Sequence, residues 1–543
     1  MKKSVGLLLS AAMFCSGFSG LAGCGTHTTG SGGGVSIDPS KEVISISLFS
    51  AGFGTQWLDD LLNDYNATLT GNYQFNRIPE NTNSIDTITD QLEAGIRSAD
   101  IYFNDTSDFQ RLMRSEGILL DLTSVWESKP DGTETTVRDK ILDSDVYERA
   151  YSYDGKIYGI PFSQGMSGII YDHDLFEDAN FFARDDSTEN GLTVGIDGIE
   201  GTFDDGLPVT MEEFIELCDT IKGRNYWPFI YTDTVGGGIT TPVMEIIVGL
   251  YEGLESYEAT IIYDGTYTSP STGVQTEITP AEGYRAFEIG EGRVKAVEFL
   301  NDVLLNEEYF DSSIQGINHT ASEEYFLYSH SAGRTRIAMT LNGCWWENEA
   351  RDAFATDARR NGAKWGYGMR DFRFLPMPAV EGQSESMNGK YVFSTNADGS
   401  VFALRSDDEE KNQAILDFLT YFTSDEGLSY FARETGSMPA YRFELSDEDY
   451  EAMTPFSRNQ YDYLMNENTV ILRPNLIEQL TPINYLTTNS PQRWSVVING
   501  FEYELAYDAI KRTSAEQYIT ALQTKYNADS WSAIYSQVED VLS

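Results

Sequence analysis

The side chains best suited to hold a ligand in this sequence are aromatic residues beside amides and carboxylates, at or just past short apolar runs. Gln56 and Trp57 follow Val43–Phe49, and Asn104, Asp105 and Asp108 end or follow Ala99–Asn104. Tyr231 and Asp233 close the run that begins at Trp227, and Trp345 and Trp346 come after Ala338–Leu341. Aromatic faces flanked by hydrogen-bonding groups suit a ligand with an apolar ring face and a rim of hydroxyls. Each residue also has a packing role open to it. Trp57 is at helical spacing with Leu61, and Asp105 or Asp108 suits the cap of a helix beginning near Phe109.

A second cluster is acidic. Residues 185–206 form a Gly-rich stretch in which Asp197, Asp204 and Asp205 offer oxygen ligands for a structural Ca²⁺, although the spacing is not that of an EF-hand loop. A solvated acidic insertion is the alternative. Enzyme signatures are missing: His173, His319 and His330 make no His-Glu-x-x-His helix, and neither a Gly-x-Ser-x-Gly elbow nor a phosphate loop occurs. A glycosidase needs only two carboxylates, so a chain with 85 acidic residues does not exclude one by composition. No cofactor is required by any motif.

The elements that must position these groups alternate. Val43–Phe49 reads as a strand, Thr55 onward as a helix, Tyr73–Ile78 as a strand, Ile85–Ile96 as a helix and Ala99–Asn104 as a third strand. Strand-helix alternation with short links predicts an α/β fold of mostly parallel sheets wrapped by helices, with ligands beyond the carboxyl ends of strands. Gly165–Tyr171, Trp227–Tyr231, Ala338–Leu341, Phe372–Leu375 and Val401–Leu404 are further strand candidates. With 41% apolar and 13% aromatic residues, large cores are available to the chain. Cys218 and Cys344 suit either a disulfide or two buried thiols.

The amino terminus reads as an export signal: Lys2 and Lys3, an apolar run from Val5 to Phe18, then Leu21-Ala-Gly-Cys24. The last four residues resemble the lipobox of bacterial lipoproteins, which implies cleavage before Cys24 and diacylation of its thiol. Residues 1–23 are then the signal and 24–40 a flexible tether, placing the protein on the outer face of the cytoplasmic membrane. Cleavage removes two basic residues and no acidic one from a chain of net charge −48. So acidic a surface disfavours nucleic acid, anionic lipid and polyanionic ligands as partners.

Four stretches resemble the extracellular solute-binding proteins of sugar ABC importers, the maltose-binding-protein-like class. They are Tyr153-Asp-Gly-Lys-Ile-Tyr-Gly-Ile-Pro-Phe running on to Gly168-Ile-Ile-Tyr-Asp-His-Asp-Leu-Phe; Pro208-Val-Thr-Met-Glu-Glu-Phe; Ala338-Met-Thr-Leu-Asn-Gly-Cys-Trp-Trp; and Gly399–Arg405 with Ala414–Leu419 and Thr423–Leu428. Asp172 and His173 stand where the family usually has Asn-Lys, and Met211 where it has Trp. The resemblance implies a two-lobed periplasmic-binding-protein fold of type II kind. Lobe one would hold 41–161 and 377–445, lobe two 162–376 and 446–543, with hinge crossings near Pro161 and Pro376. It further implies a sugar ligand, an ABC importer as partner, Trp345 as the stacking plate, Gln164 at the crossover and Trp494 as a further plate. The rival functions are a surface glycoside hydrolase or lyase, and a peptide-binding or adhesive lipoprotein.

Overall fold

The computed structural model describes residues 34–79, 83–104, 106, 109–232, 240–311, 316–395, 398–488 and 490–542. The signal and Cys24 lie outside them, as do Asp105, Asp108 and Asp233. The chain first lays down strands β1 (Glu42–Leu48), β2 (Tyr73–Arg77), β3 (Ile101–Asn104) and the short β4 (Ile160–Pro161). It then builds β5 (Ser167–Asp172), β6 (Trp227–Ile230), β7 (Ile337–Gly343), β8 (Phe372–Leu375) and β9 (Tyr391–Ser394). Finally β10 (Ser400–Ala403) and β11 (Thr469–Leu472) are added.

These strands form two sheets. The first has the order β2-β1-β3-β10-β4, with β2, β1 and β3 parallel and β10 antiparallel to both neighbours. The second runs β11-β9-β5-β7-β6, with β8 also paired to β5; β9 and β11 are parallel, as are β7 and β6. The α/β class expected from the alternation holds, with antiparallel pairs where strands return from the other sheet. The return itself comes later than Pro376. Tyr391–Ser394 is hydrogen-bonded into the second sheet, so the chain passes back between Ser394 and Ser400.

Among the helices are α1 (Gln56–Thr68), α2 (Met211–Gly223), α3 (His319–Leu327), α4 (Trp346–Glu349), α5 (Glu409–Phe422) and α6 (Asp425–Thr435). Their starts are written locally. Thr210 accepts from the amide of Glu213 while Glu213 reaches back, a capping box inside Pro208-Val-Thr-Met-Glu-Glu-Phe. Ser424 caps α6 through the Gly427 amide, and Gly436 ends it at φ 70°, where only glycine avoids a Cβ penalty. α1 is amphipathic, burying Trp57, Leu58, Leu61, Leu62 and Tyr65.

The second sheet is covered on both faces. Ile170, Phe372, Phe374 and Phe393 join the core that includes the first sheet, while Ile169, Tyr171, Leu375 and Val392 face a second core closed by Tyr518, Leu522 and Trp531 of the carboxyl-terminal helices. Register decides where the two sheets meet. Gly343 and Ser394 lie opposite Ser167, and Leu472 opposite Ser394, so the carboxyl ends of β7, β9 and β11 share one edge. In the first sheet Asn104 and Pro161 both pair with Ser400. The segments 161–167 and 394–400 join these edges.

Candidate functional site

Trp345 stands one residue past Cys344, beyond the end of β7, and is the residue from which α4 starts. Its indole lies over Gly343 so closely that a Cβ there would overlap the six-membered ring. From the other sheet, the turn after β1 approaches: the Cβ position of Gly52 is 3.6 Å from the Cβ atoms of both Trp345 and Glu349. Asn348 Nδ2 donates to the Gly52 carbonyl across the same junction. Trp345 is thus partly exposed and flanked by the strand ends of both sheets. Part of its surface packs against the first core and the rest is open.

In the first sheet, Asn104 ends β3 next to the β1 end, with Leu48 opposite Phe103. It is buried, and its Nδ2 finds no acceptor among the described residues. Gln56 is exposed and spends its amide on Asp60 at 2.8 Å.

The other residues singled out from sequence do different work. Trp57 is sealed in the first core between Phe103, Phe162, Phe422 and Phe431, at centroid distances of 5.2–6.3 Å. Trp346 is fully enclosed by Phe326, Phe354, Phe372 and Phe456. Trp494 belongs to the second core, where its Nε1 donates to Glu245 at 2.7 Å. Tyr231 is buried against Phe310 and Tyr507 and donates to the Leu304 carbonyl. None of these four rings offers a face to the junction.

Gln164 is a joint residue. Its Oε1 accepts from Arg473 at 2.6 Å and its Nε2 donates to the Gly165 carbonyl. Arg473, which follows β11 directly, also donates to Asp398 at 2.6 Å, to the Tyr147 hydroxyl at 2.9 Å and to Asp143 at 3.0 Å. One buried guanidinium therefore ties the segment at 164 to the segment at 398. Nothing in the sequence announces it; the partners are 75 to 330 residues apart.

Comparison with known proteins decides the family. Bacterial extracellular solute-binding proteins, as a family, match this chain over residues 60–452. The chain belongs to that family. This solute-binding chain also matches solved structures over nearly its whole length. The apo form of RafE from Streptococcus pneumoniae is 13% identical, with TM-score 0.56, covering 91% of this chain and 100% of that one. A chitin oligosaccharide binding protein is 17% identical, with TM-score 0.53 over 91% and 100%. RafE in complex with raffinose is 14% identical, with TM-score 0.51 over 90% and 100%. Identities this low establish the shared fold. No curated protein matches the chain.

Among the described residues, the acidic stretch forms no compact three-carboxylate cluster of its own. The carboxylates of Asp197, Asp204 and Asp205 do not all converge to within 4.8 Å of one another. They instead fold their own loop. Asp204 accepts from the Ile196 amide at 2.6 Å and from Thr202 at 2.8 Å, Asp205 from the Gly201 amide at 2.7 Å, and Asp197 from the Ile199 amide at 2.8 Å. Burial, with Asp197 nearby, holds the Asp204 carboxyl above its usual range.

The set that does converge, among the described residues, is His319, Glu323 and Glu349. His319 Nε2 is 3.3 Å from Glu323 Oε1 and 3.3 Å from Glu349 Oε2. Burial alone would depress this imidazole, but the two carboxylates outweigh it and push it up to about 10. Sequence spacing tests His319 only against a helix-borne zinc motif, which it does not fit. Cys218 and Cys344 are both buried free thiols. Among the described residues no helix is long and apolar enough to cross a membrane.

Proposed function

We propose that this protein captures a carbohydrate, an oligosaccharide in the first instance, in a cleft between two lobes and delivers it unaltered to an ABC importer. The lobes correspond to the two sheets, and the protein is held at the outer face of the cytoplasmic membrane by lipid on Cys24. The observation that carries the reading is the partly exposed Trp345 indole at the meeting edge of both sheets. A flat indole is the natural partner for the C–H face of a pyranose, and the exposed carboxylate of Glu349 supplies a hydrogen-bonding group for hydroxyls. The similarity to RafE with raffinose and to a chitin oligosaccharide binding protein supports a sugar over a peptide.

Ligand touching both edges favours the closed arrangement, because only there do both sets of contacts exist together; such hinge closure is a general property of periplasmic binding proteins. The test is calorimetric titration with a panel of neutral mono- and oligosaccharides, followed by chromatography of the recovered sugar. Intact sugar bound one to one supports the reading. Cleaved product means a hydrolase instead, and absence of any binding sugar removes the proposal.

A further inference from the structure

His319, Glu323 and Glu349 are arranged more like metal ligands than like an ion pair. The single Nε2 of His319 faces two carboxylate oxygens at 3.3 Å each. One imidazole N–H points at one acceptor, and a charge-assisted N–H···O bond closes to about 2.7–2.9 Å. Both distances instead equal the edge of a tetrahedron around zinc, about 3.3–3.4 Å for bonds of about 2.0–2.1 Å.

The supports of a metal centre are present as well. His319 is the first residue of α3, whose start is fixed by Asn318 accepting from the Ala321 amide at 2.8 Å. Glu323 follows one turn later on the same face and is 4% exposed. Asn342 of β7 donates to its Oε1 at 3.1 Å, the kind of outer partner that orients a ligating carboxylate. Glu349 reaches in from α4 and is itself exposed, which leaves a fourth position open. One nitrogen and two carboxylates fit zinc, whereas calcium asks for six to eight oxygens.

We propose that His319, Glu323 and Glu349 form a divalent-metal site of zinc type with one open coordination position. The cation takes the place of the imidazole proton and ties α3 to α4, the helix that Trp345 precedes. Glu349 is shared with the proposed sugar cleft but His319 and Glu323 are not, so metal titration in the absence of sugar tests this site apart from that reading.

The test uses the full chain, stripped with chelator. It is titrated with Zn²⁺ by calorimetry and with Co²⁺ by visible absorption, and far-ultraviolet circular dichroism confirms that each variant is folded. The expected result is one tight site with the absorption of four-coordinate cobalt. His319→Ala and Glu349→Gln should each weaken it by about 100-fold or more, since even outer-partner losses cost about 10–100-fold. The control Asp197→Asn, in the separate acidic loop, should leave it unchanged. Failure to bind Zn²⁺ one to one, or binding that survives both ligand substitutions, overturns the proposal and leaves His319 as an imidazolium held between two carboxylates.

Discussion

At the scale of single residues, ligand capture turns on two neighbours, Trp345 and Gly343. Trp345→Ala should weaken sugar binding by about 2–4 kcal/mol, the value of a buried aromatic plate, while the melting temperature barely moves. Gly343→Ala tests the same plate without touching its chemistry. The three atoms nearest the added methyl all belong to the far end of the Trp345 ring, so the indole must swing away; calorimetry should show weaker binding in a protein that still folds. Trp345 and Trp346 both read as ligand plates from Ala338-Met-Thr-Leu-Asn-Gly-Cys-Trp-Trp, and the structure leaves only Trp345 partly exposed. Trp346 carries the same chemistry and is sealed within four phenylalanine rings. Past the end of a strand the two-residue alternation stops, so sequence does not say which of two consecutive rings turns inward. Trp57 is the reverse case: its spacing with Leu61 is the truer sign, and it is core.

At the scale of elements, the passages between the sheets are held by Arg473. Arg473→Ala removes the cation and leaves Asp398 buried beside Tyr147, which should cost about 3–5 kcal/mol in denaturant unfolding. A loss well under 1 kcal/mol would mean that the guanidinium is not what joins the segments at 164 and 398. The alternating strands of the first sheet can be read directly from Val43–Phe49, Tyr73–Ile78 and Ala99–Asn104. Tyr391–Ser394 and Thr469–Leu472 escape such a reading, and with them the true place of the return, which the sequence puts at Pro376. These two strands pair with each other, and Tyr391–Ser394 is buried throughout, so it lacks the polar alternation that marks a half-exposed strand. Gln164 reads as a ligand group from sequence because its partner, Arg473, lies 309 residues away. The capping motifs around Thr210 and Ser424, by contrast, are local chemistry and need no knowledge of the fold.

At the scale of the whole molecule, the net charge of −48 means that stability depends on where its many carboxylates end up. Burial pushes Glu252 up to about 7 and Glu347 up to about 7, from 4.5 for each when unfolded. Both stay protonated in the fold over that interval while the unfolded chain ionises. Their stabilising contribution is therefore complete below about pH 4.5 and is lost as pH rises through about 7. A Glu252→Gln, Glu347→Gln double variant should match the parent in acid and melt at a higher temperature above neutrality. Equal melting at both ends of the range would show that these carboxyls are not held neutral. The central claim, a sugar gripped against Trp345 where the two sheets meet, is tested most directly by titrating the parent and Trp345→Ala proteins side by side with the tightest-binding oligosaccharide. A one-to-one complex in the parent, weakened by about 30-fold or more in the variant, is what this structure predicts. Equal affinity in both proteins would contradict it.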